Sequence, residues 1–319
     1  MNTQTQSTVN TAAQKKGFMF YLKRDWELYA LVAIPLLFVV VFKFLPLLGL
    51  SIAFMDYNPI LGFSGSEFVG LDVFKEMFTS SEFYTALRNT IILNLLDLIC
   101  GFPMPIILAV LLNEITCTWY KKLTQTLLYL PHFLSWVIIS AIAYQLFSPS
   151  TGIVNIIIGS LQGLDSAAGI PFLTEKWHWA VMYILLAVWQ SMGWGTIIYL
   201  AAITGINSDL YEAADIDGAG RWGKIWHVTL PGIKPTIVVM LIMALGRLMG
   251  SNFERVQALS NTNVTDFSEV IATYVYRVGL GSNKFNISTA VGLFQSIVGL
   301  VLVLLSDRVA KALGEGGLV

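Results

Sequence analysis

The chain has little charge for its length and almost no cysteine. Charged residues make up 12% of its 319 residues and hydrophobic residues 55%, whereas about 25% of an average soluble domain is charged. This composition excludes an ordinary soluble protein and is typical of an integral membrane protein. Cys100 lies in an apolar run and Cys117 in a polar loop, which excludes a disulfide framework and a CxxC metal site. The net charge of -1 gives no indication of nucleic-acid binding.

Six apolar stretches are long enough to cross a bilayer, which takes about 20 helical residues. The sequence therefore predicts an all-α integral membrane protein with six transmembrane helices, at 29–54, 89–112, 127–147, 179–204, 236–258 and 286–306. The first run is too long for the core of a signal peptide, so we expect an uncleaved span. The expected divisions are an N-terminal tail, a first span with an external loop, a core transmembrane domain and a C-terminal tail, at 1–28, 29–82, 83–310 and 311–319.

The distribution of lysine and arginine predicts the orientation. Eleven of these residues lie in the two termini and in the loops 113–126 and 205–235, and five lie in the opposite loops. Cytoplasmic loops of membrane proteins carry the excess of positive charge. Both termini and the segment between spans 4 and 5 are therefore expected in the cytoplasm.

That segment is acidic and punctuated by glycine, which is unusual between two apolar spans. Its beginning offers three good N-cap residues, with Glu212 in capping-box spacing from the last of them: Asn207, Ser208 and Asp209. Gly218 can supply the left-handed stop of this helix, and a second helix, "RWGKIWHVTL", is expected to end before Pro231. A helix–glycine–helix elbow of this kind suits protein docking. The alternative is an amphipathic helix resting on the membrane, but the acids would be repelled by anionic lipid.

Two nucleotide-binding patterns in the same segment are misleading. Gly218, Gly220 and Gly223 match G-x-G-x-x-G, but a dinucleotide site needs a preceding strand. Residues 218–224 match most of a P-loop, yet Ile225 stands where Mg²⁺ needs serine or threonine. We therefore expect no nucleotide cofactor in this chain.

The segment resembles the EAA loop of the permeases of binding-protein-dependent, type I ABC importers. The chain follows the pattern E-A-A-x3-G-x9-I-x-L-P, with Val228 in place of isoleucine. The resemblance implies a type I importer permease fold with cytoplasmic coupling helices between spans 4 and 5. It also implies a contact with a separate ATPase, which binds the ATP and Mg²⁺. The residues assigned to this contact, or to the shape of the elbow, are Glu212, Ala213, Ala214, Asp217, Gly218, Leu230 and Pro231.

Further blocks, among them "GFPMPIILAVLLNE", "LPHFLSW" and "GWGTIIYLAAITGI", resemble the carbohydrate branch of these permeases. That resemblance implies a bacterial cytoplasmic-membrane subunit that imports glycan-derived oligosaccharides and performs no chemistry. Its expected partners are a related second permease, an ATPase dimer and an extracellular or periplasmic solute-binding protein. The alternatives are an importer permease for an amino acid, polyamine or phosphate, a stand-alone channel or carrier, and a membrane-embedded enzyme.

A sugar path through the spans needs hydroxyl partners and flat aromatic faces. The candidates are Tyr144, Gln145, Trp189, Gln190, Trp194, Asn252, Glu254 and Gln295. The alternative is structural, because tryptophan also anchors spans at the interface and polar side chains hold helices together. Asp97 is costly in lipid, so we expect it to pair with Lys43 or Arg247. The histidines are too scattered along the spans to form a metal site: His132, His178 and His227.

Overall fold

The computed structural model describes Met19, residues 23–162, 169–250 and 252–312, and Gly314. Most of the predicted N-terminal and C-terminal tails lie outside the described residues. The chain divides into two compact units, Met1–Ser51 and Ile52–Val319.

The first predicted span is a helix that runs from Trp26 to Phe54. It begins as α1, Trp26–Val39, passes through a π-helical turn at Val40–Phe44 and ends as a 3₁₀ helix at Leu45–Phe54. Its sequence is apolar around the whole circumference, which is typical of a membrane span. The prediction of this span at 29–54 is confirmed.

The second unit is almost entirely helical. Among the described residues, one ribbon pairs β1, Met55–Asp56, antiparallel with β2, Glu67–Phe68. The α-helices, in chain order, are α2 Gly62–Gly65, α3 Asp72–Thr79, α4 Ser81–Gly101, α5 Pro103–Asn113, α6 Thr118–Tyr129, α7 Trp136–Phe147, α8 Ile153–Gln162, α9 Lys176–Thr204, α10 Ser208–Ile216, α11 Arg221–Lys224, α12 Leu230–Gly246, α13 Phe253–Leu259, α14 Thr265–Ser268, α15 Ile271–Tyr276 and α16 Phe285–Ala312. Leu130–Phe133 is a 3₁₀ turn, and Ile225–Thr229 and Arg277–Gly281 are π-helical.

Within the described residues, five helices are long and apolar enough to cross a membrane: Trp26–Phe54, Ser81–Asn113, Lys176–Thr204, Arg221–Gly246 and Phe285–Ala312. A sixth span is present if the bent pair Thr118–Phe133 and Trp136–Phe147 is counted as one. The predicted all-α membrane fold is therefore confirmed, with two of its spans differently built.

The third predicted span, 127–147, is wrong as a continuous helix because the two halves meet at 100°. Pro131 has no N–H for a helical ladder, and it lies in the 3₁₀ turn that ends the first half. Ser135 then caps the second half, since its hydroxyl accepts from the N–H of Ile138 at 3.4 Å.

Helix α9 packs tightly against its neighbours through two glycines. A Cβ atom on Gly193 would stand 1.9 Å from the carbonyl oxygen of Leu128, and one on Gly195 would stand 2.9 Å from Cγ of Pro105. These glycines let neighbouring segments approach α9 closely. The second span is interrupted at Phe102, immediately before Pro103.

The outer end of the unit carries an exposed ion-pair cluster. Arg277 donates to Glu269 at 2.7 Å and to Glu82 at 2.8 Å. These hydrogen bonds, chiefly the one to Glu269, raise the pKa of Arg277 above its already high ordinary value. The helix α8 lies between the bent span and α9 in the chain and is too short to cross a membrane.

Candidate functional sites

The elbow between spans 4 and 5 begins with a capped helix. The side chain of Asn207 accepts from the N–H of Asp209 at 3.1 Å, so α10 starts at Ser208. Asn207 is thus the residue that caps the helix among the three candidates. Glu212 and Ala213 are exposed on α10, and Ala214 is half-buried.

Helix α10 ends in a Schellman motif centred on Gly218. The N–H of Gly218 donates to the carbonyl of Asp215 at 3.1 Å, and the N–H of Ala219 donates to that of Ala214 at 2.8 Å. This pair of bonds needs a left-handed residue, and Gly218 has φ of +78°. The predicted left-handed stop is confirmed.

The second arm of the elbow is longer than the sequence indicates. It does not end before Pro231; Arg221–Gly246 forms one continuous helix and serves as the fifth span. The π-helical turn at Ile225–Thr229 precedes the proline, and the N–H of Leu230 donates to the carbonyl of Ile225. This wider turn relieves the clash that a proline makes with the preceding turn of an α-helix.

Two side-chain contacts join the arms. Lys224 Nζ lies 2.5 Å from Asp215 Oδ1, and the Tyr211 and Thr229 hydroxyls are 3.0 Å apart. At the base, Leu230 packs with a buried cluster that includes Ile225, Ile233, Ile203 and Tyr199. These contacts fix the angle between the two arms and hold the base of the elbow against α9.

The outer face of the elbow is exposed and mixes acids with large apolar groups. Ile216 is 88% exposed and Trp222 is 71% exposed, beside the exposed Glu212, Ala213 and Asp217. Exposed apolar groups rimmed by polar residues mark protein contact surfaces. Pro231 is also exposed, where α12 begins.

A cavity of about 800 Å³ lies among the spans of the second unit. Ligand pockets of roughly 300–1,000 Å³ bury most of a drug-sized molecule. The lining is partly polar and partly aromatic and includes Asn94, Asp97, Phe102, Trp136, Gln190, Ser191, Arg247, Asn252, Phe253, Glu254 and Arg255.

One wall of this cavity is a non-helical segment that follows the fifth span, residues 247–250 and 252. We call this segment the break. Helix α12 ends at Gly246 and α13 begins at Phe253, so the predicted span 236–258 is wrong at both ends. Backbone without helical partners is tolerated at membrane depth only where it is buried in protein or lines a cavity. Here Asn94 Nδ2 donates to the carbonyl of Leu248 at 2.7 Å, and Gln295 Nε2 donates to that of Met249 at 2.7 Å.

The predicted pairing of Asp97 with Lys43 or Arg247 is wrong. Asp97 pairs with Arg255, whose Nη1 donates to Oδ1 at 3.1 Å and whose Nη2 contacts Oδ2. Arg255 is 5% exposed, and its guanidinium lies 3.9 Å from the centre of the Tyr183 ring. Because the partner lies 158 residues away in the chain, no local pattern could identify it.

The structure gathers only some of the predicted path residues. Gln190, Asn252 and Glu254 line the large cavity, whereas Tyr144 and Gln145 line a separate one of about 330 Å³. Trp194 stacks on His132 with ring centres 4.7 Å apart, Trp189 is 39% exposed, and Gln295 caps the break. For Trp194 and Gln295 the structural alternative accounts for the observed contact.

Two residues of the cavity lining, Asn94 and Trp136, are not among the residues predicted from the sequence. A polar residue inside an apolar run is the signal that points to Asn94. Arg247, predicted only as a possible partner of Asp97, lines the cavity as well. Among the described residues, no group of three or more His, Cys, Asp or Glu could hold a metal ion.

Comparison with known proteins identifies the family. The family model for the binding-protein-dependent transport system inner membrane component matches residues 101–315. Protein LplB of Bacillus subtilis (strain 168) is 43% identical over 310 residues, covering 97% of this chain and 96% of that protein. The polygalacturonan/rhamnogalacturonan transport system permease protein YteP of the same organism is 43% identical, covering 96% of this chain and 94% of YteP.

A solved structure agrees with these relatives. One chain of the crystal structure of a bacterial alginate ABC transporter, in complex with an alginate pentasaccharide-bound periplasmic protein, matches with a TM-score of 0.85. It is 39% identical and covers 95% of this chain and 100% of that chain. The membrane helices, the elbow and these matches lead to one conclusion: the chain belongs to the family of binding-protein-dependent transport system inner membrane components.

Proposed function

We propose that this chain is one permease subunit of an ATP-driven importer that moves carbohydrate across the bacterial cytoplasmic membrane. YteP is named for polygalacturonan and rhamnogalacturonan transport, and the matching solved transporter is described with alginate. The cavity supports a similar substrate here because amide groups, such as Gln190 and Asn252, lie in one lining with the ring of Trp136. The chain itself performs no reaction, and a partner ATPase binds the ATP and Mg²⁺.

The observation that carries the proposal is the elbow. Its two arms are joined to each other, its base is packed on α9, and the second arm continues as the fifth span. A push on the exposed face of α10 is therefore transmitted along a rigid helix to Gly246, where the cavity wall begins. We assign the exposed face, with Glu212 and Ala213, to contact with a cytoplasmic ATPase dimer.

The remaining partners follow from the same assignment. A second, related permease completes the pathway, and an extracellular or periplasmic solute-binding protein delivers the carbohydrate. The excess of lysine and arginine on the side of the elbow supports an orientation with both termini in the cytoplasm.

Co-purification tests the coupling assignment. Tagged wild type and the variants Ala213→Arg, Gly218→Ala and Thr126→Arg are isolated from the native host in mild detergent, and their partners are identified by mass spectrometry. Ala213 is exposed on α10, whereas the control position Thr126 is exposed on α6. Arginine is a good helix former, so both arginine variants should fold.

We expect all four proteins to retain the second permease. Ala213→Arg should lose the ATPase and Gly218→Ala should retain less of it, because alanine at φ of +78° costs about 1–2 kcal/mol. Thr126→Arg should retain it fully. The coupling assignment is wrong if the wild type carries no ATPase or if Ala213→Arg keeps all of it.

A further inference from the structure

The cavity contains two arginines in different electrostatic states. Arg255 is buried and its charge is balanced by Asp97. Arg247 is exposed in the cavity, and its Nε donates to the carbonyl of Met243 at 3.3 Å. Among the described residues, no carboxylate forms an ion pair with Arg247.

This arginine lies at membrane depth. The adjoining carbonyl of Leu248 is bonded to Asn94, which is inside the second span, and that of Met249 is bonded to Gln295, inside the last span. An ionisable side chain at that depth is costly and usually faces a partner or a water-filled pathway. Asp97 is already paired with Arg255, and Glu254, in the same lining, forms no ion pair with Arg247 among the described residues, so the partner of Arg247 is to be sought in what enters the cavity.

We propose that Arg247 binds a carboxylate of the transported molecule, so that the substrate is an acidic, uronate-containing oligosaccharide. A guanidinium matches a carboxylate with two parallel hydrogen bonds. A neutral sugar would offer this guanidinium no ion-pair partner. The inference rests on the proposed function, since it names the substrate class of the same pathway.

Glu254 further narrows the kind of anion that the cavity can bind. It lines the same cavity and is exposed there, so a compact anion such as phosphate would bring its whole charge into a cavity that already holds this carboxylate. A uronate chain separates its carboxylates by ring hydroxyls, which can donate to Glu254. The rings of Phe102, Trp136 and Phe253 supply apolar faces in the same lining, and a pyranose ring can lie flat on such a face.

The test is direct binding to the purified, detergent-solubilised complete transporter, without the solute-binding protein. Equilibrium dialysis measures labelled trigalacturonate against its fully methyl-esterified form, which has the same skeleton without the charges. Wild type, Arg247→Gln, Arg247→Lys and the control Arg88→Gln are compared. Arg88 is exposed, bonds to Asn89 and does not line the cavity.

We expect the wild type to bind trigalacturonate about tenfold more tightly than the ester, a difference equal to about 1.4 kcal/mol. Arg247→Gln should remove this preference, Arg247→Lys should keep part of it, and Arg88→Gln should leave it unchanged. Added salt should weaken the binding of the acid more than that of the ester. The proposal is overturned if the wild type binds both forms equally, binds neither, or if Arg247→Gln keeps the preference.

Uptake by the reconstituted complete transporter with its binding protein separates this proposal from the proposed function. ATP-driven uptake of a neutral oligosaccharide together with equal binding of acid and ester would sustain the importer and overturn the role of Arg247. Selective binding of the acid without ATP-driven uptake of any oligosaccharide would sustain the role of Arg247 and overturn the importer.

Discussion

The chain interrupts its helices in two ways, and the elbow at 207–231 and the break at 247–250 and 252 show the contrast. At the elbow, the backbone groups are bonded within a few residues, by Asn207 at the start and by the Schellman bonds at Gly218. At the break, Asn94 and Gln295 supply the bonds from 154 and 46 residues away. The elbow is a local structure, while the break exists only in the assembled bundle.

This contrast has a physical cause. The backbone of the elbow is largely exposed, so water can satisfy any backbone group that the local motif leaves open. The break lies between spans, where an unsatisfied carbonyl has no water to bond with unless the cavity admits it. The carbonyls of Leu248 and Met249 therefore depend on the placement of particular distant side chains.

The largest expected effect comes from the ion pair beside the break. Arg255→Met leaves Asp97 charged and without its partner, which should cost about 3–5 kcal/mol. Thermal melting in detergent measures the loss. The double variant Asp97→Leu/Arg255→Met should recover much of it, because both charges are then removed.

The exposed Arg277 provides the control for that experiment. The Arg277 side chain is 48% exposed, and its guanidinium pairs with Glu82 and Glu269. Solvent-exposed ion pairs contribute at most about 1 kcal/mol to the free energy of unfolding. Arg277→Met should therefore melt close to the wild type. A double variant as unstable as Arg255→Met alone would contradict the assignment of Arg255 as a charge balanced by Asp97.

The next effect tests the remote capping of the break. Gln295→Leu removes the donor to the carbonyl of Met249 and should cost about 1–3 kcal/mol, seen as a lower melting temperature of the whole protein. Ser296→Ala is the matched control, since that hydroxyl donates within its own helix to Gly292. Equal melting temperatures for the two variants would mean that the break does not depend on Gln295.

A smaller and local effect is expected at the elbow. Asn207→Ala removes the N-cap of α10 and should cost about 1 kcal/mol, while Ser208→Ala changes the first helical residue and keeps the cap. Hydrogen exchange should become faster at 208–219 in the cap variant alone, with little change in the melting temperature of the bundle. Destabilisation of the entire bundle by Asn207→Ala would show that the elbow is not an independent local unit.

The smallest effect concerns the ion pair across the elbow. Lys224 is partly exposed and Asp215 is 60% exposed, so Lys224→Met should cost only about 0.2–1 kcal/mol. The loss should appear in local hydrogen exchange at low salt and vanish at high salt. An effect that persists at high salt would indicate packing by the lysine stem.

The sequence predicts the elbow better than the cavity. Asn207, the EAA residues and Gly218 are neighbours in the chain, so their spacing alone indicates a capped helix with a left-handed stop. Cavity residues such as Asn94, Gln190 and Asn252 come from three separate elements, and Asn252 donates to Asn94 at 2.8 Å across 158 residues. Composition can nominate such side chains, but it cannot say which of them meet.

The ends of the spans show the same limit of prediction from the sequence. Apolar length correctly locates the first, fourth and sixth spans, because lipid requires about 20 apolar residues in a helix. The same measure misplaces the fifth span, since the apolar residues after Gly246 include a non-helical segment and the short α13. Hydropathy does not distinguish a helix from a non-helical segment whose carbonyl groups accept hydrogen bonds from side chains of other spans.

The sequence by itself determined the membrane class, most of the spans, and the elbow with its glycine stop. Each of these depends on composition or on residues close together in the chain. Only the tertiary structure decided the bend of the third span, the break after the fifth, the pairing of Asp97 with Arg255 and the exposure of Arg247 in the cavity. These features follow from which distant side chains reach an otherwise unsatisfied charge or backbone group, and that depends on how the helices pack.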